Sequence, residues 1–320
     1  MIDIIDKYSK KKYRNQALLP KIETHVSETM LDSIAYCSNI LEFIADEGVK
    51  KRKMVSGQTC KNRFCPLCSW RKAKKDAMVI STMMKYIVAE YDKGFIFLTL
   101  TIPNVSGDDL KAAIKKMNLA FKKLFKRKDV MRVSHGYMRK LEITYNAKRK
   151  DFHPHFHAVI AVNMSYATSR DYIKQAKWLK LWQEAMGDPT ITQVDVRKMD
   201  MAKGVNEIAK YTSKDADYLH SQTVFDYFYK ALRGAQVITY NGLFKDAKKL
   251  YDGDKLEDYK TIDETEYIYK IVSQWFKLYR DDDGVITENQ YQDMNKRPLT
   301  EEEKTEYNFQ SMGESEEFID

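Results

Sequence analysis

The chain's 320 residues include no cysteine beyond residue 68, no internal repeat, and no apolar run near the roughly 20 residues that a bilayer requires. The N-terminal stretch Met1-Ile-Asp-Ile-Ile-Asp6 lacks the charged, apolar and small-residue order of a signal peptide. Together these absences point to a cytoplasmic protein with no membrane partner. A hydrophobic content of 43% with 12% aromatics argues for a packed core and against wholesale disorder. Positive charge is scarce only at the C-terminal end. From Asp281 to Asp320 there are 13 acidic and 3 basic residues, a balance of −10 against +8 for the chain, so the first 280 residues carry +18. So basic a body suits a polyanionic partner, nucleic acid first. The acidic tail reads as a solvated extension that could compete with DNA for the basic face.

The four cysteines, Cys37, Cys60, Cys65 and Cys68, crowd into the first 68 residues. In a cytosolic chain such clustering points to metal ligation over disulfides. Cys65-Pro-Leu-Cys68 is a knuckle whose short spacing lets two thiolates reach one ion, and Cys60 precedes it closely. Cys37 would complete a four-thiolate structural Zn2+ site, with His25 as the substitute ligand. Basic residues surround the knuckle: Lys61, Arg63, Arg71, Lys72, Lys74 and Lys75, with Phe64 and Trp70 among them. This is a candidate phosphate-contacting surface, on which Trp70 either packs on the zinc module or stacks on a base, packing being favoured.

From Trp70 to Tyr91 apolar residues recur at helical spacing, and Asp92-Lys-Gly94 ends the run. Phe95–Thr101 reads as a buried strand, Leu110–Lys126 as a helix capped by Asp108 and basic on its exposed face. Gly136–Asn146 and residues 152–162 read as two strands joined by the polar loop Ala147–Asp151. Pro154 suggests an edge strand or a bulge. Arg170–Met186 is an amphipathic helix with Trp178 and Trp182 in the core, and Ile191–Arg197 alternates as a strand. Helices are expected after Gly204, carrying Glu207 and Tyr211, and over 217–232. Antiparallel strands interleaved with helices make the class α+β.

Two constellations carry chemistry. His153-Pro-His155-Phe-His157 places three imidazoles on one face of a strand, where they form a metal platform. Antiparallel pairing of the two strands sets Glu142 opposite His155 or His157. That completes a mixed nitrogen and oxygen site with open positions, suited to Mn2+ or Mg2+. Glu142 or His153 supplies the third ligand; Glu142 is favoured, because His153 sits beside the loop and could instead orient a phosphate. The second constellation is Glu207-Ile-Ala-Lys-Tyr211, with Glu207 and Tyr211 one helical turn apart and Lys214 on the same face. Tyr211 is then a nucleophile, Glu207 a general base, and Lys214 a cation for the phosphate, with Lys210 less well placed. Tyr218 could mimic a second tyrosine and is read as packing.

Phe97-Leu-Thr-Leu-Thr101, His153-Pro-His-Phe-His157 and Glu207-Ile-Ala-Lys-Tyr-Thr-Ser-Lys214, in that order, resemble plasmid rolling-circle replication initiators of the HUH endonuclease superfamily. The branch it resembles also carries a cysteine cluster followed by a basic Trp-Arg segment, as in Cys60-Lys-Asn-Arg-Phe-Cys-Pro-Leu-Cys-Ser-Trp-Arg71. The similarity runs from about Cys37 to about Leu250. It implies a central antiparallel sheet flanked by helices, and nicking of a plasmid's double-strand origin on an extruded single strand. Tyr211 would form a 5′-phosphotyrosine link and free a 3′-OH, with Glu207 activating water at termination. Host helicase and replication machinery are the implied partners, and a homodimer is left open.

The expected organisation is a zinc-binding module over 1–69, a nickase domain over 70–250, and a helical extension with an acidic tail over 251–320. Two rivals stand beside this reading. One is a single-strand transposase of the same chemistry, the other a non-catalytic zinc DNA-binding regulator. The second leaves the three histidines unexplained.

Overall fold

The computed structural model describes residues 4–200, 205, 214–276 and 290–308. Two compact units emerge, one made of Met1–Lys75 with Thr261–Asp320 and the other of Asp76–Lys260. Each is α+β and built on an antiparallel sheet. Among the described residues no helix is long and apolar enough to cross a membrane.

The first unit joins the two ends of the chain. Helix α1 (Ile4–Ile22) buries Tyr8, Lys12, Asn15, Leu18 and Ile22, which share one face at intervals of three and four. Helix α2 (Glu28–Ala35) starts at Ser27, whose hydroxyl accepts the Met30 amide at 3.3 Å. Strands β1 (Ile40–Ala45) and β2 (Arg52–Gly57) follow. They combine with the C-terminal strands β8 (Tyr269–Phe276) and β9 (Gln290–Pro298) in the order β2-β1-β8-β9. Tyr8 is the hub of the core, edge-on to Phe43 at 5.6 Å and to Trp70 at 4.9 Å. Trp70 is therefore buried packing, as favoured, with the Lys74 ammonium 4.3 Å from its ring.

This sheet corrects the expectation of a helical extension over 251–320. After the helix Leu243–Asp252 the chain forms a 3-10 turn over Glu257–Tyr259 and then β8 and β9, and only Glu301–Asn308 is α-helical again among the described residues. Part of the acidic stretch is also folded. Asp293 on β9 pairs with Arg52 at 3.0 Å, and Glu303 takes Arg297 at 2.6 Å. The residues closing the chain beyond 308 lie outside the described set.

In the second unit the sheet order is β6-β3-β5-β4-β7. Its strands are β3 (Lys93–Thr101), β4 (Gly136–Asn146), β5 (Asp151–Asn163), β6 (Val194–Lys198) and β7 (Ile238–Gly242). Asn146 closes the β4–β5 hairpin: its side-chain oxygen accepts the amides of Lys148 at 3.1 Å and Arg149 at 3.0 Å. On one face Phe156 and Phe152 of β5 meet Phe121 of α4 (Leu110–Leu124) and Phe228 of the helix Gln222–Leu232. Trp178 and Trp182 of the helix Gln175–Met186 are fully buried, and the Trp182 indole donates to the Thr101 carbonyl at 2.8 Å. On the opposite face Val159 and Ala161 pack with Phe95, Phe97 and Met138 against residues 77–87 of α3 (Pro66–Tyr91) and against Phe244 and Ala247.

Pro154 sits in the central strand, not at an edge. The β3 ladder ends at the pair Thr101 and His155, and Phe152 exchanges both backbone hydrogen bonds with Val105. Pro154, two residues from Phe152, has its missing N–H on that same side, in the gap between the two pairings, so no ladder bond is lost.

Where β7 joins β4, Gly136 and Gly242 are directly paired, with φ of +147° and +51°. A Cβ at Gly242 would lie 2.4 Å from the His135 carbonyl oxygen. Gly242→Ala should therefore destabilise the unit by about 2–3 kcal/mol, read from the shift of its chemical denaturation midpoint. A loss under half a kcal/mol would show that the close approach yields easily.

Candidate functional site

Cross-strand register builds the first group of chemical interest. Glu142 on β4 pairs with His155 on β5, and His157 lies two residues along the same face. The Glu142 Oε2 atom lies 3.1 Å from His157 Nε2 and 3.6 Å from His155 Nε2. One ligand atom from each of the three residues falls within 4.8 Å of the others. Their remaining nitrogens are held from behind. His155 Nδ1–H donates to the His153 carbonyl oxygen at 3.1 Å, and His157 Nδ1 meets the Thr99 hydroxyl at 3.2 Å. The first of these bonds fixes the His155 ring with Nε2 turned toward the carboxylate.

Burial alone would raise the Glu142 carboxyl, but hydrogen bonds from His155 and His157 overcome it and hold the acid well below the usual carboxylate range. The site therefore offers an anionic oxygen and two imidazole nitrogens, about 7% exposed at the histidines. That donor set fits a hard or borderline divalent cation and lacks the thiolates that would select a soft one. His153 is stacked on His155 with ring centres 5.1 Å apart. Burial and the neighbouring His155 charge lower its pKa. It flanks the three-residue group, while Glu142 stands inside it.

The other residues expected at this site divide into two sets. Glu207 and Tyr211, together with Lys210, lie outside the described residues. Lys214 is exposed and caps the short helix Asp215–Tyr218. On either side of the undescribed stretch the chain is anchored to the sheet. Val205 is 5% exposed and belongs to the buried cluster of Phe97, Met138 and Val159, and the Phe97 ring lies 5.3 Å from His157. Asp217 accepts the Tyr145 amide of β4 at 3.3 Å. Burial raises the Asp217 pKa, and the Glu142 charge adds to the rise. Tyr218 is buried against Phe225 and Phe228, as packing requires.

The second group is made of the four cysteines. Cys37 follows α2, Cys60 and Cys65 precede the body of α3, and Cys68 lies in its first turn. Cys37 Sγ is 3.5 Å from Cys68 Sγ and 3.7 Å from Cys65 Sγ, and Cys60 Sγ is 3.6 Å from Cys68 Sγ. His25 ends a short 3-10 turn and is not part of this cluster. Contacts from Cys60, Cys65 and Cys68 hold the Cys37 thiol far below the ordinary thiol range, so the cluster favours a thiolate. Two residues that the motif did not reveal support it from α1. Lys12 Nζ, 1% exposed, donates to the carbonyls of Ala35 at 2.9 Å and Cys37 at 2.7 Å. Asn15 Nδ2 donates to Cys65 Sγ at 3.4 Å. A buried ammonium and a thiolate-directed amide both offset negative charge on sulfur. Their only sequence signal is polar residues on the otherwise apolar face of α1.

Residues 51–282 match the family model of Rep_1, the replication proteins. A Protein rep from Staphylococcus aureus is 51% identical over 218 residues, covering 67% of this chain and 95% of that protein. A Protein rep from Streptococcus pneumoniae serotype 2 is 32% identical over 264 residues, covering 78% of this chain and 82% of the relative. One from Lactiplantibacillus plantarum is 35% identical over 244 residues, covering 68% and 76% respectively. No solved structure matches the chain.

Both groups could hold a metal ion, and they share no residue. Metal analysis after purification and titration should thus find two separable sites. Cys65→Ser should empty the thiolate site and lower the melting temperature by about 10 °C, leaving the other site's affinity intact. Glu142→Ala should weaken the histidine site about 10–100-fold with little effect on melting. Loss of both metals in either variant would show that the sites are not independent.

Proposed function

The chain belongs to the Rep_1 family of replication proteins, and from that premise we propose that it initiates plasmid rolling-circle replication as a tyrosine nickase. Its partner is the plasmid's double-strand origin, presented as an extruded single strand. The observation that carries this reading is the group of Glu142, His155 and His157, an acid and two imidazoles whose Nε2 atoms face one carboxylate oxygen. Mn2+ or Mg2+ is the proposed ion at this group and Zn2+ the proposed ion at the cysteines. A divalent cation bound by the histidines supplies Lewis acidity, making the scissile phosphorus more electrophilic.

The chain's own residues do the rest. Tyr211 Oη attacks the phosphorus, its bond to phosphorus forms as the bond to the 3′ oxygen breaks, and the 5′ phosphate remains on the tyrosine. The phenol proton passes to the Glu207 carboxylate or to water, and the departing 3′ oxygen takes up a proton to become the priming 3′-OH. At termination Glu207 serves as the base for a water that hydrolyses a phosphotyrosine, so one tyrosine suffices. Lys214, exposed at a helix start, offsets charge on the phosphate. The anchoring of Val205 and Asp217 against the histidine-bearing sheet supports this assignment, since they stand two residues before Glu207 and six after Tyr211 in the chain. The family match favours an initiator over a single-strand transposase and over a regulator without catalysis.

Supercoiled plasmid carrying the cognate origin should be nicked only with a divalent metal, leaving protein covalently joined to the 5′ end. Tyr211→Phe should abolish nick and adduct together. Glu207→Ala should nick normally and fail to release at termination. Mass spectrometry of the peptide–oligonucleotide adduct checks the assignment, and an adduct persisting in Tyr211→Phe would move the nucleophile elsewhere.

A further inference from the structure

Helix α4 carries lysines at 111, 115, 116, 122 and 123 and no acidic residue. Its residues Ile114, Met117, Phe121 and Leu124 are buried, and Phe121 lies edge-on to Phe156 of β5 at 5.6 Å, on the sheet face opposite the histidines. Lys111, Lys115, Lys116, Lys122 and Lys123 are all exposed. At about 3.6 residues per turn, Lys111, Lys115 and Lys122 fall in one row and Lys116 and Lys123 in a second, both turned away from the sheet. Lys126, also exposed, follows just beyond the helix.

Carboxylates do not answer this charge. Among the described residues Lys111, Lys115, Lys122, Lys123 and Lys126 form no ion pair. The acids of the neighbouring segments are engaged elsewhere: Glu184 with Arg127 at 3.5 Å, Asp129 with Lys177 at 2.8 Å and Asp171 with Arg132 at 3.2 Å. Like charges four apart, as at Lys111 and Lys115, weaken a helix by about 0.2–0.5 kcal/mol. Lys111, in the first turn, also opposes the helix dipole. A face that served solubility alone would intersperse both signs. Uncompensated lysines along one side suit a polyanion.

The chemistry of that side narrows the choice of polyanion. It exposes no aromatic residue, and single-strand surfaces depend on aromatic side chains that stack on bases. Asn118, the helix's one side chain able to read a base edge by paired hydrogen bonds, accepts from the Arg139 guanidinium at 2.6 Å. Lysine ammoniums are point charges that meet phosphates without regard to sequence. From Lys111 to Lys122 the row runs about 16 Å along the helix, a length over which duplex DNA carries about ten phosphate charges. We infer that the outer side of α4 is a second DNA-binding surface, which holds the backbone of the duplex flanking the origin without reading its sequence. The inference rests on the DNA partner proposed above and not on the tyrosine chemistry. A helix is about 10–12 Å thick, so a phosphate seated on Glu142, His155 and His157 is out of reach of these lysines. One face of the unit takes the strand to be cut, and the other takes the duplex from which it is extruded.

The test compares full-length protein with the triple variant Lys111→Gln, Lys115→Gln and Lys122→Gln. All three positions are exposed, and glutamine forms helix about as readily as lysine. Binding to a labelled duplex that lacks the origin is followed by fluorescence anisotropy over a series of salt concentrations. Single-turnover nicking is followed on a short synthetic strand spanning the nick. The variant should bind the duplex about 30-fold more weakly at about 0.1 M salt, and the slope of log affinity against log salt should fall by about 2–3. Nicking of the short strand should stay within about twofold of wild type, while KM for supercoiled origin plasmid rises and kcat holds.

Duplex affinity within about threefold of wild type, with an unchanged salt slope, overturns the inference. An equal loss in nicking of the short strand overturns it as well. Wild-type protein that binds a poly-glutamate chain as tightly as the duplex would assign the surface to an acidic protein, again against the inference. A wild type that binds duplex through these lysines yet forms no adduct refutes the nicking reading alone.

Discussion

The register of β4 against β5 is the constraint on which the histidine site depends. Glu142 meets the two imidazoles because it pairs with His155 and shares its face. A slip of one residue would turn the carboxylate into the aromatic layer where Phe121 and Phe156 pack. Three features resist the slip. Asn146 ties the hairpin with two side-chain hydrogen bonds, and Gly136 permits the close crossing with Gly242 at the far end of β4. The third is Arg139, whose guanidinium donates to Asn118 at 2.6 Å and lies 4.1 Å from the Phe156 ring centre. Desolvation lowers its pKa to about 10, so it stays charged at neutral pH while buried on the face away from the histidines. Moving Arg139 to the other face would strand that charge.

The two metal-capable groups differ in ways that ligand chemistry explains. Four sulfurs lie within 4.8 Å of one another, and α1 supports them with Lys12 and Asn15, a donor set that would suit a structural ion. Among the described residues Glu142, His155 and His157 provide three donors. An ion held by these three donors would have coordination positions left open, the arrangement that suits an electrophilic catalyst. The hydrogen bond between His157 Nδ1 and the Thr99 hydroxyl and the one from His155 to the His153 carbonyl fix the imidazoles from behind.

Much of the second unit was legible because its strands and helices state their burial in their residue pattern. Phe95–Thr101, Gly136–Asn146, the histidine strand and the long helix to Tyr91 all carry apolar residues at strand or helix period, and each is observed within a few residues of its expected limits. The grouping of Glu142 with His155 and His157 followed from parity alone. The first unit was less legible. Its sheet pairs β1 with β8, more than 200 residues apart, and nothing local announces that partner. β9 is harder still, since Tyr291 is its one buried side chain and the rest is exposed or half-buried and mostly polar. Such a strand is held by its ladder to β8 and by the Arg52 pair rather than by its own apolar face. Pro154 misled for a similar reason: a local rule about proline cannot see that the neighbouring ladder stops one residue earlier.

The placement of the chemistry on the sheet follows from where the core runs out. On the histidine face Val159, Ala161, Phe95 and Met138 are sealed by residues of α3 and by Phe244 and Ala247. Toward the hairpin the same alternating positions become His157, His155 and His153, and apolar cover gives way to imidazole. Phe97 marks the border, with its ring in the core cluster and 5.3 Å from His157. Val205 joins that border from the side that precedes the catalytic candidates Glu207 and Tyr211, and Asp217 returns the chain to β4 after them. A strand half committed to core and half to ligands therefore does two jobs at once. Its apolar half packs into the core and so fixes the strand that carries the donor atoms. Its polar half, freed from packing, turns a carboxylate and two imidazoles to one point where they could hold a metal ion.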